Sequence, residues 1–360
     1  MKIGIISMQR VANYGSFLQA YALKRIIESL GHDVVYVDID GSEANQNNKK
    51  TLLRLFKFRR YIFNRLRYRK KRKIVSQKYK EAQIKYLNLT DQKMTSKNCE
   101  AIVIGSDEIF NCDSRGVWKI TKERFGYVPG TKCVISYAAS CGNTDITSTS
   151  KEDVDTIKNA LSSLRAISVR DQNTAKMVFD VSGSSANKHV DPVLVYNFKS
   201  EMASCAKTVF PAGPYMIVYA YRGRINSRDE IKAIRAYAHK KGLRILSVGG
   251  MQAWCDDYLV LDPFEVLQYF KNAACIVTDT FHGTVMGAKF NKPMAVFVRE
   301  SNSNKLIDLL EHFHMESHIV HNVNNIAEII DRENDYSAFN RIADEESART
   351  RKYLKDQLSI

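Results

Sequence analysis

The run Thr278-Asp279-Thr280-Phe281-His282-Gly283-Thr284 follows the apolar stretch 273–277 and precedes residues with helical spacing. Open α/β sheets build ligand sites in this way. The carboxyl end of a strand faces a crevice, and the following helix offers unpaired N–H groups to an anion. His282 is therefore a titratable imidazole aimed at a phosphate or carboxylate, with Thr280, Gly283 and Thr284 forming the turn around it. Asp107, in Ile104-Gly105-Ser106-Asp107-Glu108, ends another strand; it either accepts a proton from a substrate hydroxyl or is a turn aspartate.

Cations for an anionic ligand are available nearby in sequence. Arg170, at the end of Ser168-Val169-Arg170-Asp171, either clamps an anion in bidentate fashion or pairs with Asp171 or another acid. Arg222 and Arg224 follow the strand that opens the second half and are open to the same two readings, ligand contact or surface loop. Asn13-Tyr14-Gly15-Ser16 lies between the first strand and first helix. Asn13 and Gly15 there let a ligand approach backbone N–H groups, or simply cap the helix. Ser140 and Gly142 stand beyond the strand end in Ser136-Tyr137-Ala138-Ala139-Ser140-Cys141-Gly142. Among the other histidines, His312 and His314 lie near His318 and His321. No acidic or cysteine pattern accompanies them, so no metal site is predicted.

These residues need strands and helices to hold them. Strands are predicted at 2–7, 33–38, 101–105, 133–137 and 166–169, alternating with helices at 13–30, 151–164 and 171–180. His189-Val190-Asp191-Pro192-Val193-Leu194 closes this half, and 196–214 reads as a linker with Pro211, Gly213 and Pro214. Alternation restarts with strands at 215–221, 243–248, 273–278 and 293–298 and helices at 227–241, 263–272 and 283–290. A polar helix over 336–358 is placed to pack back on the first domain. Two βαβ series joined by a linker imply two Rossmann-like α/β domains facing across a central cleft, 1–195 and 196–335, with 336–360 as a returning helix.

At 360 residues, 44% hydrophobic and 26% charged, the chain has room for two cores. No apolar run approaches a membrane span, and the amino terminus enters a strand without a signal-like segment, which predicts a cytoplasmic protein. Seven scattered cysteines without C-x-x-C spacing suit reduced thiols. The net charge of +15 is local: residues 49–73 carry 13 Lys or Arg and no acid, leaving 41 basic and 39 acidic residues elsewhere. Interleaved Leu52, Leu53, Leu55, Phe56, Phe58, Tyr61, Ile62, Phe63, Leu66 and Tyr68 make this a basic amphipathic helix. It either lies on anionic lipid headgroups at the inner membrane face or packs on the domain with snorkelling cations. No nucleic-acid motif accompanies it.

Six blocks in order, NYGSFLQAYAL (13–23), IGSDEIFN (104–111), SYAASCG (136–142), ISVRD (167–171), DPVL (191–194) and DTFHGTVMGAKFNKP (279–293), resemble the polysaccharide pyruvyl transferase family. The resemblance implies a glycosyltransferase-B-like architecture, an acceptor-side first domain and a donor-side second domain. It further implies phosphoenolpyruvate as donor, two sugar hydroxyls of a capsular or exopolysaccharide glycan as acceptor, and a cyclic pyruvate ketal as product, with no cofactor or metal. Such glycans are often built on lipid carriers. His282 would bind donor phosphate or act as the acid, Asp107 would serve as base, and Arg170 with Arg222 or Arg224 would hold the anionic groups. Many family members have an arginine two residues before the motif histidine, where this chain has Thr280. A nucleotide-sugar glycosyltransferase of the same architecture and a non-catalytic glycan-assembly protein are the alternatives. The missing G-x-G-x-x-G fingerprint disfavours a dehydrogenase.

Overall fold

Strands covered on both faces read as near-continuous apolar runs, and this chain supplies eleven such segments or shorter ones among the described residues. The computed structural model describes residues 1–39, 58–112, 119–205 and 208–359, with side chains from 70 onward in the second stretch. Six parallel strands, β1 (Lys2–Ile6), β2 (Asp33–Tyr36), β3 (Ala101–Asp107), β4 (Cys133–Ala139), β5 (Ser168–Val169) and β6 (Asn187–Lys188), form one sheet in the order β2-β1-β3-β4-β5-β6. Five more, β7 (Tyr215–Ala220), β8 (Arg244–Gly249), β9 (Asp257–Tyr258), β10 (Cys275–Thr278) and β11 (Met294–Val296), form a second in the order β11-β10-β7-β8-β9. Every residue of β3, β4 and β7 is buried.

The helices of the first half are α1 (Tyr14–Glu28), α2 (Phe58–Leu87), α3 (Lys151–Leu161), α4 (Gln172–Ser182), α5 (Pro192–Val195) and α6 (Lys199–Ser204). The second half adds α7 (Arg228–Lys240), α8 (Pro263–Asn272), α9 (Phe281–Lys289), α10 (Ser303–His312), α11 (Ile326–Asp331) and α12 (Ser337–Leu358). Their starts are written in the sequence: Asn13, Ser150, Asp171, Ser227, Asp262 and Thr280 each accept a backbone N–H of the first turn.

Strand order fixes where ligands can bind. Each sheet reverses direction once, between β1 and β3 in the first and between β7 and β10 in the second. The crevices outside the carboxyl ends of those strand pairs are the binding positions of doubly wound sheets. Here they face each other, because one apolar cluster runs through both lobes. All of α1 except Arg25 and Glu28 is buried, which a helix on an ordinary protein surface would not be. Its Phe17 and Tyr21 rings lie 5.8 and 4.9 Å from Phe264 of α8, and the Tyr14 hydroxyl donates to the Leu261 carbonyl at 3.1 Å.

The short elements β6, α5, β9 and α11 were not expected from the sequence, and three further segments bear on that expectation. The linker 196–214 contains α6, which is pinned because Tyr21 and Tyr196 both donate to the buried Glu201 carboxylate at 2.8 Å. Residues 303–312 form the unanticipated helix α10. Of the basic segment, 49–57 lie outside the described residues and the rest forms the start of α2, so its amphipathic stripe lies outside the side-chain description. At its end Lys71 is engaged rather than solvated, reaching Asp257 at 2.8 Å on the second lobe.

Helix α12 returns to the first lobe: Tyr353 donates to the Ser136 carbonyl at 2.8 Å, Thr350 meets Tyr137 at 3.0 Å, and Leu354 and Leu358 are fully buried. We expect Leu354→Ala to lose about 2–5 kcal/mol of stability, the usual cost of such a cavity. The urea midpoint checks it; an unshifted midpoint would show that α12 is dispensable to the fold.

Candidate active site

The turn that presents His282 is built by threonines. Thr278 Oγ1 donates to the Tyr219 carbonyl at 2.7 Å, joining β10 to β7 across the crossover. Thr280 Oγ1 lies 3.1 Å from it and accepts the Gly283 N–H at 3.0 Å, and Thr284 Oγ1 donates back to the Thr280 carbonyl. The chain therefore enters α9 with its cap satisfied, and the His282 side chain emerges 11% exposed.

The first lobe grips that imidazole from two sides. A Cβ built on Gly15 would collide with His282 at Nδ1 and Cγ, so the first turn of α1 lies directly on the ring. On the other side Nε2 stands 3.4 Å from Asp191 Oδ2, an ion-pair distance without hydrogen-bond alignment. Asp191 is fully buried, accepts the Val193 N–H at 3.0 Å and pairs with Arg170 at 2.7 Å. Burial alone would push its carboxyl up, but His282, Arg170 and that N–H together hold it down at about 2.

Arg170 is the hub behind this arrangement. Its second terminal nitrogen lies 3.6 Å from Asp107 Oδ1, and its guanidinium stacks 4.1 Å above the Phe281 ring. Asp107 has φ 67°, in the left-handed region, and accepts the Ser16 hydroxyl at 2.8 Å.

In front of His282 lies a cavity of about 370 Å³ between the lobes. The first lobe lines it with Met8, Val11, Asn13, Ser16, Asp107 and Glu108, the second with Tyr219, Tyr221, Arg224, Thr280, Phe281, His282, Ser301, Asn302 and Lys305. Arg224 Nε is 3.1 Å from the buried Asp279, and its Nη2 donates to Ser301 at 2.6 Å. Burial raises the Asp279 carboxyl even with Arg224 and Arg299 beside it. Asn302 anchors the same corner by donating to the Asp279 carbonyl at 2.6 Å. Lys305, on α10, forms an ion pair with Glu108 across the cavity. Burial opposes the Glu108 charge, yet Lys305, Arg170 and Asn111 hold the carboxyl at about 2. A larger open groove of about 660 Å³ lies along α3, but it is lined by no histidine and by none of the motif residues.

The cavity thus brings together Asn13, Asp107, Arg224, Thr280 and His282, with Gly15, Gly283 and Thr284 shaping the turns beneath them. Arg170 lies behind the lining, its guanidinium shared between Asp191 and Asp107 rather than turned to a ligand. Ser140 is fully buried and donates to Asp171 at 2.6 Å, outside the cavity. Arg222 is exposed and does not line it. Sequence reasoning assigned no role to Asp191, Glu108, Asp279, Ser301, Asn302 or Lys305. Asp191 and Asp279 stood within motifs already noted; Lys305 carried no local signal. His318 is buried against the Met294 carbonyl at 3.1 Å.

The Asp191 carboxyl titrates near 3.8 when unstructured and at about 2 in the fold. A lowered value stabilises the fold above 3.8, and that stability is lost as pH falls toward 2, on the order of 2 kcal/mol. We expect the urea midpoint to drop across this window and Asp191→Asn to lack that share of the drop. Identical slopes for the two proteins would contradict the assignment.

Comparison with known proteins places this geometry. No curated protein sequence matches the chain. Among solved structures, the UDP-GlcNAc 2-epimerase of Methanocaldococcus jannaschii, in complex with UDP-GlcNAc and UDP, aligns with TM-score 0.53 and 10% identity over 98% of this chain and 100% of that one. The UDP-N-acetylglucosamine 2-epimerase of Rickettsia bellii aligns with TM-score 0.50 and 11% identity, over 99% and 97%. At these identities the likeness is one of fold, two parallel-sheet lobes in a glycosyltransferase-B-like arrangement. The sequence model of the polysaccharide pyruvyl transferase family matches residues 13–302, and the chain belongs to that family.

Proposed function

We propose that this protein transfers pyruvate from phosphoenolpyruvate to two hydroxyls of one sugar in a lipid-linked surface glycan, forming a cyclic ketal. The observation that carries the reading is His282, a second-lobe imidazole backed by the first-lobe Asp191 carboxylate and opening on a cavity that Arg224 and Lys305 also line. Donor phosphate and carboxylate call for cations and helix N–H groups, and the second-lobe cations lining the cavity, with the start of α9, supply both.

In this reading His282, as imidazolium, protonates the donor methylene carbon, and C2 becomes oxocarbenium-like. One sugar hydroxyl attacks C2 while its proton passes to Asp107. The C2–O bond to phosphate then breaks, the second hydroxyl closes the ring, and its proton leaves with the phosphate. Asp191 supplies the counter-charge while His282 is charged, and Arg170 keeps Asp191 and Asp107 in register. The first lobe (1–195) receives the acceptor, the second (196–335) holds the donor, and 336–360 straps the first lobe. The basic segment 49–73 keeps a cytoplasmic enzyme beside an anionic membrane that carries the acceptor.

Incubation with phosphoenolpyruvate and lipid-linked galactose-containing oligosaccharides is expected to add the mass of one pyruvate less one water. His282→Ala should cut phosphate release by about 100-fold or more; turnover like the parent would end that assignment. Competition by nucleotide sugars but not by phosphoenolpyruvate would favour a glycosyltransferase instead. Flotation with anionic liposomes, and its loss on deleting 49–73, checks the membrane contact; equal flotation of the deletion would refute it.

A further inference from the structure

A donor bearing both a carboxylate and a phosphate is held best by a cation that can take it as a partner. Among the described residues lining the cavity, the Lys and Arg side chains are Arg224 and Lys305, and each already faces a carboxylate. The two pairs differ in what happens if the partner is lost. Asp279 is fully buried, and its other cation, Arg299, stands farther off at 3.7 Å and is shared with Glu230 at 2.7 Å, so Arg224 can leave it only by weakening the pairing of a carboxylate that water does not reach. Glu108 is different: its side chain is 27% exposed and itself lines the cavity, so it can be hydrated once its partner turns away. A lysine ammonium is also a point charge with rotatable donors, suited to changing partners, whereas a guanidinium is fixed in a planar fork. Thr280, at the strand end, is neutral and spends its hydroxyl on the α9 cap.

We propose that Lys305 is the donor-binding cation of this protein, and that the donor's anionic group replaces Glu108 as its partner. The inference rests on the phosphoenolpyruvate reading above and names the residue that selects the donor. Glu108 is then a resident anion that occupies the ammonium until donor arrives. The pair also crosses the cleft, and α10 makes two further crossings beside it: Asn304 donates to Asn143 at 3.1 Å and Asp308 accepts from Lys188 at 2.6 Å. These keep α10 docked on the first lobe when Lys305 changes partner. Glu108, released, remains on the acceptor side as a carboxylate held by Asn111 at 3.0 Å.

A structural strut and an exchangeable partner predict opposite signs for the two halves of the pair. We expect Lys305→Ala to raise the KM for phosphoenolpyruvate about 10-fold or more, with kcat changed less, the scale of a lost charge-assisted hydrogen bond. Lys305→Arg should recover much of it. Glu108→Gln should lower that KM, because the competing anion is gone. Thermal melts identify variants that fold, and Lys305→Arg with Glu108→Gln carry the test if the alanine variant does not. An unchanged KM in folded Lys305→Ala, or a raised KM in Glu108→Gln, overturns the proposal while leaving the donor intact. A parent protein that neither binds phosphoenolpyruvate in calorimetry nor turns it over removes the donor reading, and this inference with it.

Discussion

The contact on which the rest of the structure depends is the approach of the Gly15 backbone to the His282 ring. It joins the first turn of one lobe to the catalytic candidate of the other at a distance no side chain would allow. Such an approach needs the lobes held in a fixed relation, and α1 supplies it. Its apolar residues are sandwiched between the first sheet and α8, so the helix that sets the lobe angle also presents Asn13 and Ser16 to the cavity and Gly15 to the His282 ring. Site geometry and lobe packing are therefore one constraint.

Buried charge supplies the second half of that constraint. An enclosed carboxylate is costly unless its oxygens are paired and hydrogen-bonded. Asp191 meets the condition with partners from three places: Arg170 after β5, Val193 in α5 and His282 from the second lobe. Removing Arg170 would leave the Asp191 carboxylate in the interior with His282 and one N–H. Arg170 matters to the site through this role, as the group that holds two carboxylates apart and in place.

Much of the architecture was legible because local rules and the global fold agree. Apolar runs marked strands that a doubly wound sheet buries on both faces, and Asn13 marked a helix start that the structure uses as a cap. His282 was legible from its place after β10. Arg170 was left with two readings, and a partner 21 residues away decided between them, which no local pattern encodes. Ser140 looked like a site residue for its small neighbours, but those neighbours permit tight burial against Asp171. Helix α10 could have been read from Leu306, Leu310 and Phe313, yet Lys305 within it resembles any exposed helical lysine. Its partner Glu108 is 197 residues distant and in the other lobe, a purely tertiary fact.

Charge is divided between the lobes in a way that bears on how the reaction proposed above would run. The carboxylates at the cavity and just behind His282, Asp107, Glu108 and Asp191, all come from the first lobe. The cationic and imidazole groups that line the cavity, Arg224, His282 and Lys305, all come from the second. An anionic donor is attracted to one wall and repelled by the other, whereas sugar hydroxyls hydrogen-bond well to carboxylates. In the proposed reaction the partition would separate the two substrates without a shaped pocket for each and would put the scissile bond at the seam. The seam is where the structure puts the one titratable ring gripped from both sides. On the proposed reading, two separate sheets would gain a single reaction centre from their interface, which the buried helix α1 sets.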